Sequence, residues 1–288
     1  MRRVSSLASS LVTSRRAQRL SRREALLGAI ASSAWACQAG EVPRRAGAAH
    51  TAGTATGAAA NAVSPPGGLD VVHLGPGEEE KGGALVVLLH GWRAQGNDLV
   101  GLARELAQAG ARFLVPAAPL AEPGGGRAWW RLDGNDRPAH VWKDELPPDY
   151  RPNAAVAAAR RAIQALLRDA RQRYAPDSIA LVGFSQGAML ALDVALAADP
   201  PVERVAVLSG VLIADALPAL HAQKPALPAV FVSHGRSDPV LPYAGGASIE
   251  TVLAPYGYPV TFVPFEGGHQ IPPTVVAQLR TFLFAAPR

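Results

Sequence analysis

The 288-residue chain has a single cysteine, Cys37, so no internal disulfide can form and the fold must rest on its hydrophobic core. Metal-ligand spacing is missing too. The seven histidines (His50, His73, His90, His140, His221, His234, His269) include no H-x-x-x-H pair and no paired Cys/His spacing, so no metal is expected. The glycine run Pro123-Gly124-Gly125-Gly126-Arg127 lacks the lysine and following helix of a phosphate loop, and nothing else in the chain asks for a cofactor. Long apolar runs are absent: Ala25 to Ala36 is uncharged but too short to span a bilayer. A net positive surplus is confined to one segment. Residues 1–37 carry seven arginines against Glu24, a surplus of six, and the whole chain is only +5, which leaves the remainder at −1. A basic footprint for nucleic acid is therefore absent from the body. No repeat of fixed period is present.

What is there is a chain that is 49% hydrophobic, long enough for one α/β domain with a tail. Short aliphatic runs alternate with helical patterns. Strands are expected at 69–74, 84–89, 112–117, 179–182, 204–208, 229–233 and 260–264. Helices are expected at 99–109, from an Asn153 cap to about Tyr174, from Ala188 onward, around 214–221, within 246–254 and at 274–284. On the long helix Ile163, Leu166 and Leu167 share one side, with Arg160, Arg161, Arg168 and Arg171 facing water. Strands apolar on both faces and separated by helices predict a mostly parallel central sheet with helices on both faces.

The stretch Ser178 to Leu190 organises the rest. An aliphatic strand runs into Gly183-Phe184-Ser185-Gln186-Gly187, and helix formers follow. A serine at the centre of G-x-S-x-G on a sharp strand-to-helix turn is thrust out at the top of the sheet, and the glycines leave room for close packing. The N–H of Gln186 then sits at a helix start, where it can face a developing oxyanion. A serine hydroxyl is a weak nucleophile, so it needs a histidine to take its proton and a carboxylate to orient that histidine. Asp238 follows the strand at 229–233, and His269 follows the strand at 260–264, each on a loop at a strand's carboxyl end. The order Ser, Asp, His is the one used by α/β-hydrolases. A second oxyanion donor should come from the loop Leu88-Leu89-His90-Gly91-Trp92-Arg93, with Trp92 the candidate and His90 a buried framework residue.

Leu89-His90-Gly91, Gly96-Asn97-Asp98-Leu99, Pro116-Ala117-Ala118-Pro119, Trp129-Trp130, the segment Gly183 to Ala188, His234-Gly235 through Asp238, and Gly268-His269 together resemble the phospholipase/carboxylesterase family of α/β-hydrolases, which includes the acyl-protein thioesterases. The resemblance runs from about Leu85 to the C-terminus. It implies an α/β-hydrolase fold, a triad of Ser185, Asp238 and His269, and an oxyanion hole from the N–H groups of Trp92 and Gln186. The chain departs from the family at Trp92 and Arg93 and between Trp129 and Pro152. A serine hydrolase acting on small carboxylic esters is the expected function. Thioesterase, lysophospholipase and peptidase activities share the triad, and a surface lipoprotein that binds a partner without turnover is the alternative from another class. Trp129, Trp130 and Trp142 fall in the long connection between 117 and 153, and are the candidates for lining an acyl pocket.

The N-terminal segment reads as an export signal over 1–37: an arginine-rich region ends in Ser21-Arg22-Arg23-Glu24, followed by the short apolar stretch. The paired arginines resemble the twin-arginine motif. Ala34-Trp35-Ala36-Cys37 resembles a lipobox, which makes Cys37 the candidate lipidation site and membrane attachment point of an exported bacterial protein, with periplasmic or secreted release the outcome of plain cleavage. Residues 38–68, rich in Ala, Gly, Thr and Pro, are expected to be a flexible linker before a catalytic domain at 69–288.

Overall fold

A computed structural model describes residues 68–285 apart from 134–136, 144, 223 and 225. The expected export segment with Cys37, and the expected linker save Gly68, lie outside the described residues.

Seven strands form the main sheet: β1 (Val71–Leu74), β2 (Ala84–Leu89), β3 (Arg112–Pro116), β6 (Ser178–Phe184), β7 (Arg204–Leu208), β8 (Ala229–Gly235) and β9 (Val260–Phe265). Between β3 and β6 the strands β4 (Leu120–Ala121) and β5 (Arg127–Ala128) make a separate small hairpin. The main order is β1-β3-β2-β6-β7-β8-β9, with β1 antiparallel to β3 and every other pair parallel. The helices are α1 (Val100–Leu106), α2 (Ala154–Tyr174), α3 (Gln186–Ala197), α4 (Leu217–Leu220), α5 (Tyr243–Leu253) and α6 (Pro273–Phe284). This is an α/β-hydrolase architecture.

Strand period decides which helix covers which face. Leu85, Val87 and Leu89 of β2 belong to a core shared with α2, α3 and α5, whereas Val86 and Leu88 pack with α1 and α6 on the opposite face. Burial on both sides is why the strands carry aliphatic residues continuously rather than alternately. Asn153 caps α2 as expected, its side chain accepting from the N–H groups of Ala155 and Val156.

Two expectations change. Arg160 is only partly exposed and turns toward the next helix. It makes a bidentate pair with Asp193, at 2.6 Å from Nε and 2.5 Å from Nη2, and the Asp193 side chain is fully buried inside α3. The arginine's position on α2 gave no hint, because its partner lies on another helix. The long connection after 117, where no strand is expected from the sequence, contains the β4–β5 hairpin. Its turn places Gly124, Gly125 and Gly126 at φ 83°, 100° and 83°, where only glycine is comfortable, and its two-residue strands are too short to leave a periodic signal.

The strand order reverses at β2: β3 lies to one side and β6 to the other. The loops leaving β2 and β6 therefore part at a crevice beyond the carboxyl ends of the strands, the place where open parallel sheets bind ligands.

Candidate active site

Ser185 sits between β6 and α3 with φ 55° and ψ −117°, an unfavourable backbone state for a residue with a β-carbon. Its neighbours hold it there. Ser185 N–H donates to Leu208 O at 2.9 Å, tying the turn to the end of β7. A β-carbon at Gly183 would lie 2.2 Å from Gly187 O, so strand and helix can approach this closely only without a side chain at 183. These contacts account for Gly183 and for the strained serine that follows it, and Gly187 is required because its β-carbon would lie 2.1 Å from Leu89 O.

The loop after β2 passes directly over this turn. A β-carbon at Gly91 would be 3.3 Å from both the Phe184 ring and Ser185 Cβ. Trp92 follows immediately, with the Arg93 guanidinium 5.4 Å from its ring centre. Gln186 opens α3, where the first N–H groups have no carbonyl one turn earlier to bond. The N–H groups of Trp92 and Gln186 thus belong to two backbone segments that flank Ser185.

His90 is fully buried. Ala118 N–H donates to its Nε2 at 2.9 Å, which assigns the hydrogen to Nδ1, 2.8 Å from Gly91 O. Burial lowers its pKa, so the ring is a neutral brace between the β2 and β3 loops.

Asp238 and His269 meet at the other side of the crevice. His269 Nδ1 is 2.8 Å from Asp238 Oδ2, and Asp238 Oδ1 accepts the N–H groups of Val240 and Leu241 at 2.8 and 2.9 Å. Burial alone would push this carboxyl up, but the donors from His234, His269 and Leu241 outweigh it and hold Asp238 well below the ordinary carboxylate range. The carboxylate is therefore ionised and aimed at His269. The loops carrying the two residues are laced together by Ser237 N–H to Gly267 O at 3.0 Å, and a β-carbon at Gly235 would fall 2.2 Å from Gly268 O. The His269 ring lies 4.9 Å, centre to centre, from that of Phe184, the residue before Ser185.

The tryptophans of the long connection divide. Trp129 and Trp130 are fully buried and present no surface to a ligand. Trp129 Nε1 donates to His90 O, while the side chain of Gln186 accepts from Trp129 N–H at 3.0 Å and donates to Trp130 O at 2.7 Å. Trp142 is 47% exposed, with its ring over Gly245, where a β-carbon would meet it at 2.1 Å. Its segment is pinned by Val141 N–H to Leu212 O, just beyond the end of β7.

Two residues have roles the sequence did not reveal. The Gln186 side chain clamps the loop at 129–130, and no local pattern announces a bond across more than fifty residues. His234, quoted above only as part of a motif, is fully buried with Nε2 3.3 Å from Asp238 Oδ2. Among the described residues no group of three His, Cys, Asp or Glu side chains could hold a metal ion.

Residues 76–286 match a family model described as phospholipase/carboxylesterase. Among solved structures, the chain is similar to esterase PE8, at 28% identity over 75% of this chain and 97% of that one, with a TM-score of 0.60. It is also similar to the carboxylesterase of Bacillus cereus (19% identity, 75% and 93% coverage, TM-score 0.56) and to acyl-protein thioesterase 2 of Zea mays (21%, 75% and 98%, 0.57). At those lower identities the likeness speaks to the fold. No curated protein matches the sequence significantly.

Proposed function

The chain belongs to the phospholipase/carboxylesterase family of α/β-hydrolases, and from that premise we propose that it is a serine hydrolase cleaving small carboxylic esters through an acyl-enzyme on Ser185. The observation that carries the reading is an ionised Asp238, held by two backbone N–H groups and bonded at 2.8 Å to His269, together with a serine held at positive φ on a strand-to-helix turn.

In this reading His269 receives the Ser185 proton at Nε2 as the serine oxygen attacks the ester carbonyl. Asp238 keeps the Nδ1 hydrogen directed at itself and stabilises the imidazolium that forms. The oxyanion accepts the N–H groups of Trp92 and Gln186, donors fixed in place before the charge develops. Collapse of the tetrahedral intermediate sends the His269 proton to the leaving alcohol. Water, deprotonated by His269, then releases the acid and restores the serine. Trp142, the exposed tryptophan of the long connection, supplies one wall for the acyl group and Trp92 the other, and side chains of this size favour short to medium acyl chains.

The test is a substrate panel on protein beginning near Gly68: p-nitrophenyl esters of graded length, acyl thioesters, a lysophospholipid and a peptide. Turnover highest on the esters supports the reading, and highest turnover on another class reassigns the bond cleaved. The export reading of residues 1–37 is carried forward in the same way. Palmitate labelling in a bacterial host that is lost in Cys37→Ser supports lipidation, and equal labelling of both forms removes it.

A further inference from the structure

Resting on the roles just given to Ser185, Asp238 and His269, we propose that His234 is a positioning residue of the reaction, donating through Nε2 to the Asp238 oxygen that His269 uses and sharing its negative charge. His234 lies within β8, the strand that delivers Asp238, and is fully buried. Its Nε2 is 3.0 Å from Leu241 O and 3.3 Å from Asp238 Oδ2. A carbonyl and a carboxylate only accept, so the ring hydrogen belongs on Nε2, bonded to Leu241 O and within reach of Asp238 Oδ2. Nδ1 has no hydrogen-bond partner and faces Gly246, where a β-carbon would come within 2.3 Å of it. A buried imidazole with one idle nitrogen is a poor way to fill space, because leaving a polar atom unpaired is costly. The Nε2 contacts account for a histidine at this position.

The two oxygens of Asp238 are treated differently. Oδ1 takes the Val240 and Leu241 N–H groups, which stop the carboxylate from rotating. Oδ2 takes His269 at 2.8 Å, and His234 Nε2 approaches it to 3.3 Å. An oxygen that serves two imidazole donors is less negative toward each than an oxygen serving one. His234 therefore tempers how strongly Asp238 holds the His269 imidazolium, while Leu241, whose N–H and C=O contact Asp238 and His234 respectively, locks the pair to the end of the loop. The other ionisable groups near the pair are Tyr243, its ring edge-on to His234 at 6.4 Å, and Arg236, which lies over Tyr243 and is paired with Glu266 at 3.1 Å. Phe184 covers His269 from the serine turn.

Three variants separate this role from packing. His234→Leu and His234→Met keep the bulk and remove the donor, and His234→Gln restores an N–H at the Nε2 position. The acid limb of kcat/KM against pH reports the protonation of the catalytic base. In the Leu and Met variants it should move to higher pH by about half a unit to one unit, the scale of one ordinary hydrogen bond felt through Asp238, and in the Gln variant it should return toward the wild-type position. A limb that stays put or moves to lower pH in a folded Leu or Met variant overturns the proposal. Long-range proton–nitrogen NMR of the wild-type protein tests it without any variant: His234 must carry its hydrogen on Nε2 at neutral pH, and an Nδ1–H form overturns it. Ser185→Ala is run alongside. Persistent turnover in that variant defeats the underlying reading of the site, whereas loss of turnover there with an unmoved limb in His234→Leu defeats only the role of His234.

Discussion

A β-carbon at Gly187 would lie 2.1 Å from the carbonyl oxygen of Leu89. The helix that begins at Gln186 thus rests directly on the end of β2, and the contact admits no side chain. Gly187→Ala should destabilise the protein by about 3 kcal/mol or more, because backbone on both sides prevents relief. Urea denaturation would show this as a lower midpoint, and a variant within experimental error of wild type would show that the turn is looser than described.

Ser185→Ala should remain folded and lose both ester turnover and labelling by a fluorophosphonate. Asp238→Asn and His269→Ala should each lower kcat by roughly 10³-fold or more, and the double variant should be little slower than the worse single one, since such groups act as a unit. Additive losses would argue against a shared triad.

Asp238 has a folded-state pKa depressed below its unfolded value. The stability it contributes is therefore present above the ordinary carboxylate pKa, about 4, and is lost as pH falls through the lower folded value. Unfolding free energies of wild type and Asp238→Asn, compared at pH 7, 5 and 3, should diverge most at the upper values and converge toward the lowest. A gap that is constant over this range would contradict the shift.

Arg160→Ala leaves Asp193 buried in α3 without its partner, and the Arg160 guanidinium also bonds Asp215 O at 2.9 Å. Removing one member of a buried pair costs about 3–5 kcal/mol, and the partial exposure of Arg160 argues for the lower end. Replacing both residues, Arg160→Met with Asp193→Leu, should recover much of the loss. Thermal melts of the wild type and the two variants decide whether the pair or merely the arginine's bulk matters.

Trp142→Ala should change the chain-length profile, raising kcat/KM on long esters relative to short ones while Tm stays within a few degrees. Trp130→Ala, at a fully buried site, should instead lower stability by about 3–5 kcal/mol. If Trp142→Ala leaves the profile unchanged, the exposed ring does not touch the acyl group.

The sequence by itself determined the sheet and the places where its loops carry chemistry. Aliphatic runs such as Leu85 to Leu89 can be satisfied only by burial on two faces, and G-x-S-x-G between a strand and a helix admits few backbone paths. These are local requirements, so they are legible locally. The ends of β8 and β9 likewise marked where Asp238 and His269 stand, though not that a 2.8 Å bond joins them. Tertiary structure alone decided what depends on partners distant in the chain. Arg160 looked like one more solvated arginine until α3 supplied Asp193. Trp129 and Trp130 looked like pocket walls until the Gln186 side chain drew their backbone inward. His234 read as one letter of a motif until β8, the Asp238 loop and Gly246 enclosed it. Burial, pairing and hydrogen-bond satisfaction are properties of neighbours brought together by packing, and no periodicity along the chain records which neighbours those will be.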